Sequence, residues 1–412
     1  MADTATIQGG DCAWMLISSG LVLLMTPGLA LFYGGMVRER NLLSTMLQSF
    51  ISMALISVLW VLVGFSLAFG DSLGIIGNPL TYLGFEHVSY TPNADFAATI
   101  PFALFALFQM KFAIITPALT SGAFAERMRF KAYLAFAVFF CLFIYCPVAH
   151  WTWHPNGFLH KWGVLDFAGG TVVHITAGVA ALVAAILLRR RAHAEHVPSN
   201  IPYVLLGTGL LWFGWFGFNA GSALAANAQA VQAFLTTNTA SAAGMLAWVT
   251  LDWIYRGKPS SLGACIGAVV GLVAITPAAG YVSVMSSLAI GIGATAISFY
   301  VVRWRSRTDI DDTLDVFPCH GVGGIVGMIA TAIFAEKEGV IAGHWGLLGA
   351  HLGALAIVVT YVAAMTFIGL KLISLFTPLV VDAEDEFEGL DFHQHGERAV
   401  VSDFAKPRLR KS

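Results

Sequence analysis

Eleven continuous apolar runs, each long enough to cross a bilayer, dictate what this chain can fold into. A helix needs about 17 residues or more to span the hydrocarbon, where every backbone N–H and C=O must be paired within the protein. The runs cover about 12–36, 43–69, 100–122, 132–150, 167–188, 201–224, 231–254, 261–277, 281–302, 317–335 and 344–375. They are continuous and do not alternate over roughly 10 residues as barrel strands do, which excludes a transmembrane β-barrel. Only 11% of residues are charged and 57% are hydrophobic, whereas a soluble domain carries about 25% charge. The expectation is an all-α polytopic membrane protein, with residues 1–375 forming one eleven-span domain and 376–412 a polar tail.

The basic residues set the orientation. Of 22 Lys and Arg, nineteen fall in alternate connections and the tail, from Arg38 and Arg40 through Arg127, Arg189 to Arg191, Arg256 and Arg303 to Arg410 and Lys411. Only Lys161 and Lys337 lie in the opposite connections, and Lys111 sits inside the third run. The positive-inside rule then places the N-terminus outside and the C-terminus in the cytoplasm. The start, Met1-Ala-Asp-Thr, has no basic n-region, so the first run is expected to be a span and not a cleaved signal. Spans 1–5 and 6–10 enter from opposite sides. That predicts two inverted five-helix repeats followed by a final long helix, with a site near the midplane between them.

Two histidines occupy matching spans of those halves: His174 on the fifth and His320 on the tenth, each beside a Gly-Gly pair. A titratable ring in a lipid-embedded helix must face a partner or a wet path. A lone one is more often a packing residue, but two on equivalent helices point to a site. Neutral imidazoles each offer one donor and one acceptor, suited to passing a proton or binding a small polar molecule. His174 is expected two turns into a helix from Asp166, roughly 12 Å below it. Asp166 reads as a helix cap or as a cation attractor at the mouth. His351, on the eleventh span, has no counterpart and reads as packing. Lys111 is expected to point away from any cation path, and the clustered glycines are explained by close helix packing. Aromatic side chains at Trp151, Trp153, Phe108, Phe112 and along Trp212–Phe218 either form the interfacial belt or line a cation site, to which Ser222 would add a hydroxyl. Cys12, Cys141, Cys146, Cys265 and Cys319 show no CxxC or metal spacing, so free thiols and no metal or cofactor are expected. No nucleophile–base set is visible, and an enzyme is not expected.

Several long segments resemble the ammonium transporter family, known as Amt or Mep, with Rh proteins as distant relatives. They are Asp166-Phe-Ala-Gly-Gly-Thr-Val-Val-His174, Trp215-Phe-Gly-Phe-Asn-Ala-Gly-Ser222, the stretch from Phe112 to Ala-Glu126-Arg127, and Asp311-Asp312-x-x-Asp315-Val-Phe-x-x-His320-Gly-Val-x-Gly. The resemblance runs from about residue 10 to 396. It implies a homotrimer in the cytoplasmic (inner) membrane with one pore per subunit. It implies an outer recruitment site of Trp153, Phe112 and Ser222 supported by Asp166, with Trp151 as the rival of Trp153. Phe112 and Phe218 would form a stacked gate, and His174, His320 and Trp215 would line the pore. The substrate would be ammonium, with methylammonium as analogue, deprotonated at the gate and crossing as ammonia with net charge movement. The acidic tail from Asp382 resembles a regulatory C-terminus that meets a PII-type (GlnK) protein. Nothing points to nucleic acid. Two other readings stay open: an electroneutral Rh-type channel for ammonia or carbon dioxide, and an ammonium sensor coupled to a partner.

Overall fold

The computed structural model describes residues 6–192 and 198–399. Eleven long helices follow one another: α1 (Gly9–Met36), α2 (Glu39–Phe69), α3 (Phe102–Ala123), α4 (Phe130–Lys161), α5 (Gly170–Leu187), α6 (Ile201–Gly221), α7 (Ala228–Arg256), α8 (Ser261–Ile275), α9 (Val284–Arg305), α10 (Phe317–Phe334) and α11 (Trp345–Ser374). Among the described residues, nine of these helices, all but α7 and α8, are long and apolar enough to cross a membrane. The two exceptions have different causes. Helix α7 has 29 residues, but its apolarity is diluted by polar groups that bond inward. Gln232 reaches the Val282 carbonyl, Thr236 reaches the Ala279 carbonyl, and Asn219 donates to Thr237. Helix α8 is apolar but has 15 residues and stops just short of Pro277, which has no N–H to bond back into the helix.

Side-chain caps set where several helices begin. Asn200, Asn227, Ser260 and Ser283 each accept a backbone N–H three residues on, satisfying donors that have no carbonyl partner inside the helix. A small antiparallel ribbon interrupts the helical order between α2 and α3, pairing Pro92–Asn93 with Ala97–Pro101. It is a departure from the all-helical expectation.

Close crossings lack side chains where helices meet. Helices α1 and α6 lie along each other, and a Cβ at Gly207 would overlap the Phe32 nitrogen and the Gly28 carbonyl. Helices α7 and α8 meet through Gly244 and Gly267, each set against the other's carbonyl. Lipid supplies no hydrophobic force between helices, so van der Waals contact of this kind holds them together.

The side carrying the arginine-rich connections is closed by buried ion pairs. Arg191 donates to Glu126 at 2.7 Å and to Asp311 at 2.9 Å. Arg127 donates to the Asp311 carbonyl at 2.6 Å and to Thr313 at 2.7 Å. Burial pushes the Asp311 carboxyl up, but hydrogen bonds from Arg191 and the charges of Arg127 and Arg191 outweigh it and hold Asp311 below the usual 3.8. Beyond α11 the chain returns across this face as α12 (Ala383–Glu388) and α13 (Leu390–His395). Glu386 pairs with Arg189 at 2.7 Å. Asp391 accepts the Leu43 and Ser44 N–H groups at 3.0 and 2.7 Å, capping the start of the α2 span. The basic end of the sequence, 402–412, lies outside the described residues.

Candidate functional site

The two histidines that stood out in the sequence meet in the centre of the bundle. His174 Nδ1 lies 3.3 Å from His320 Nδ1, both rings are buried, and their centroids are 5.4 Å apart. One Nδ1 must donate and the other accept. The donor ring then keeps an acceptor at Nε2 and its partner keeps an N–H there. A small molecule between them therefore meets one acceptor and one donor. His174 Nε2 is buried and has no hydrogen-bond partner within the protein.

The local frame of each histidine is built the same way. Each lies in a wide, π-helical first turn, Gly170–Ile175 and Phe317–Val322, a geometry frequent at functional sites. Each helix start is held by an aspartate eight residues before the histidine. Asp166 accepts from the N–H groups of Gly169 (2.9 Å), Gly170 (2.7 Å), Thr171 (2.8 Å) and Val172 (3.4 Å). Asp312 accepts from Val316 (3.0 Å) and Phe317 (2.8 Å). The glycine four residues after each histidine makes room for the other helix. Gly178 presses on the Gly321 backbone, and Gly324 faces the Gly170 carbonyl and His174. The expectation that His174 lies two turns into its helix is corrected here. The chain turns at Gly169 with φ +118°, the helix begins only at Gly170, and His174 sits in its first turn.

Above the histidines, on the side away from the arginine-rich connections, Phe112 and Phe218 lie against each other. Their centroids are 4.3 Å apart and the rings are tilted by 47°. Trp153 packs on Phe112 at 5.8 Å, and its indole N–H donates to the Asp166 carbonyl at 3.1 Å. An outer cavity of about 310 Å³ opens above this pair, with Gln109, Phe112, Trp153, Phe167 and Ser222 among its walls. Ser222 donates to the Phe218 carbonyl at 2.8 Å, leaving its oxygen free to accept. Trp151 goes elsewhere: its N–H donates to the Ile75 carbonyl and its ring packs on Tyr361. Asp166 does not line this cavity; its oxygens are taken by the backbone N–H groups.

Below the aromatic pair the path narrows to a cavity of about 10 Å³ between His174, His320, Trp215 and Phe218, the scale of one water molecule. Trp215 stands 5.3 Å from the His174 ring and is fixed by an N–H bond to Thr276 at 2.9 Å. Lys111 lines neither cavity, and its Nζ lies 3.8 Å from the Met110 sulfur. His351 is saturated, accepting from Leu165 N–H at 3.0 Å and paired with the Met328 carbonyl at 2.8 Å. The five cysteines are unpaired, and no group of three or more metal-ligating side chains occurs among the described residues.

Two residues of this site were not singled out in the sequence. Gln109 lines the outer cavity with a buried, unpartnered Oε1; the signal was an amide inside an apolar span, three residues before Phe112. Asp312 was readable as the second member of an aspartate-x7-histidine pattern repeated in both halves.

Comparison with known proteins agrees with this geometry. A family model described as Ammonium Transporter Family matches residues 13–400. An ammonium transporter of Bacillus subtilis (strain 168) is 48% identical over 402 residues, covering 95% of this chain and 99% of its own length. The crystal structure of Saccharomyces cerevisiae Mep2 superposes with a TM-score of 0.86 at 34% identity, covering 92% of this chain and 88% of that one. A structure titled Sensor Amt Protein gives a TM-score of 0.86 at 29% identity, covering 94% and 98%.

Proposed function

The chain belongs to the ammonium transporter family, and we propose that it carries ammonium inward by taking the cation at the outer cavity, removing a proton, conducting ammonia past His174 and His320, and passing that proton separately along the same two rings, so that one positive charge crosses with each ammonia. The observation that carries this reading is the 10 Å³ space beside the paired rings, beneath the Phe112–Phe218 contact. A hydrated ion does not fit there, and stripping an ammonium-sized cation of its water in a low-dielectric interior costs on the order of 20 kcal/mol in the idealised Born limit. Neutral ammonia fits in size, and it both donates and accepts hydrogen bonds, as the ring pair requires. In the outer cavity the faces of Phe112 and Trp153 attract a cation. The Ser222 and Gln109 oxygens accept its N–H groups. Potassium gains the first attraction and not the second, so selectivity falls to the directional acceptors and to deprotonation. Asp166 acts as the positioning residue that holds Trp153 and the start of α5.

In this reading α7 and α8 are the seventh and eighth of eleven spans, the halves 1–5 and 6–10 are inverted repeats, and the arginine-rich face is cytoplasmic with the N-terminus outside. The protein is a homotrimer in the cytoplasmic membrane, and its tail from 376 docks a PII-type partner. The test is an ammonium jump applied to proteoliposomes on a solid-supported membrane. The expected result is a transient current with ammonium and methylammonium, none with potassium, and altered selectivity in His174→Ala. Ammonia flux reported by an internal pH dye without any current would replace this reading with neutral gas conduction. The likeness to the sensor Amt protein favours one second reading, partner-coupled sensing, which would be marked by ammonium binding with neither flux nor current.

A further inference from the structure

On the arginine-rich side, beyond the histidines, the bundle holds a separate cavity of about 240 Å³. Its walls share two helices with those of the central cavity. Phe32 of α1 and Val269 of α8 line the space at the histidines. One helical turn further toward the arginine-rich face, Met36 and Ile266 line this second cavity, together with Asp315, five residues before His320.

Its polar feature is Asp252 of α7. The residue is 2% exposed and lines the cavity. Its Oδ1 pairs with Arg256 at 3.5 Å, while its Oδ2 is buried with no hydrogen-bond partner. A buried carboxylate oxygen without a donor is expensive to maintain unless something supplies the missing hydrogen bonds. The space is kept by sequence: a Cβ at Gly263 would overlap that same oxygen. The other charged groups lining the cavity are committed. Asp315 takes Arg305 at 2.8 Å, Arg303 lies over the Tyr255 ring at 4.7 Å, and Arg256 is largely exposed and turned to Asp252. The Trp248 ring completes the wall beside Asp252.

We infer that this cavity is an inner binding site for a monovalent ammonium-class cation, held between the Asp252 carboxylate and the Trp248 ring at the cytoplasmic end of the path. The inference rests on the transport reading above. An anion is disfavoured, because the unmet group is an acceptor. A carboxylate and an aromatic face suit a small cation that can donate hydrogen bonds. The outer cavity uses neutral acceptors, so the two ends of the path would differ in charge and in affinity.

The test is saturable uptake of radiolabelled methylammonium by right-side-out and inside-out membrane vesicles containing the full-length protein. Asp252→Asn should raise the half-saturating concentration about tenfold for entry from the cytoplasmic face, the weight of one charge-assisted hydrogen bond. Entry from the outer face should stay within about twofold. Gly263→Ala, which displaces the carboxylate without removing it, should shift the same face in the same direction, and Asp252→Glu should restore part of the loss. Unchanged cytoplasmic-face kinetics in both Asp252→Asn and Gly263→Ala would overturn the inference, as would an equal shift at both faces. Absence of saturable uptake by the wild type from either face would refute the transport reading itself, and this inference with it.

Discussion

Replacing Asp166 by asparagine isolates what its carboxylate does, because the shape is kept and only the charge and one acceptor are lost. Oδ1 accepts from Gly169 and Gly170, and Oδ2 from Thr171 and Val172. In the amide, one of these pairs of N–H groups faces an NH2 group and becomes a donor set against a donor. Each buried donor left unmet costs about 1–3 kcal/mol, so two give a loss of about 2–6 kcal/mol at the start of α5. The remaining pair also loses its charge assistance. Because the Trp153 indole hangs on the Asp166 carbonyl, the wall of the outer cavity should loosen with it. Thermal unfolding of the detergent-solubilised protein, followed by fluorescence, and ammonium-induced current from the same preparation should fall together. Lost current with an unchanged unfolding midpoint would refute the capping argument and make the carboxylate an electrostatic attractor for the cation. Unchanged current and midpoint would remove Asp166 from the site.

Gly178→Ala should disrupt the crossing of α5 and α10, since its Cβ would overlap the Gly321 backbone, which cannot rotate away; a penalty of about 1–3 kcal/mol or more and loss of current are expected, and wild-type yield and current would contradict the reading. Gly324→Ala should be milder, because the group it presses on first is the movable Ile175 side chain; the ratio of folded yields checks this. Asp391→Ala removes the acceptor for Leu43 and Ser44 and should release the tail at about 1–2 kcal/mol, seen as faster proteolysis beyond residue 376 with current retained. Because Asp311 is held below 3.8 in the folded protein, its contribution to stability is complete above that value and lost as pH falls through its lower folded value. The unfolding midpoint of the wild type should therefore drop more steeply below about pH 4 than that of Asp311→Asn.

Apolar run length and the alternation of basic connections determined the membrane class, the approximate place of each helix and the orientation proposed for them. These are properties of transfer to lipid and of charge asymmetry, which act locally along the chain. The same local signal marked His174 and His320, because a titratable ring in an apolar span is conspicuous wherever it lies. What faces what was settled only in three dimensions. Trp151 and Trp153 are two residues apart in one helix, yet one is spent on the Ile75 carbonyl and the other walls the outer cavity. Asp166 reads as a cap or an attractor until its oxygens are found filled by backbone N–H groups. Gln109 and Asp252 became visible through a missing partner, and an unmet hydrogen bond belongs to the surroundings a fold creates. The glycines beside the histidines read as packing in the sequence; the structure adds that Gly178 and Gly324 each clear the space the other's helix occupies, a reciprocity that exists only once α5 and α10 cross.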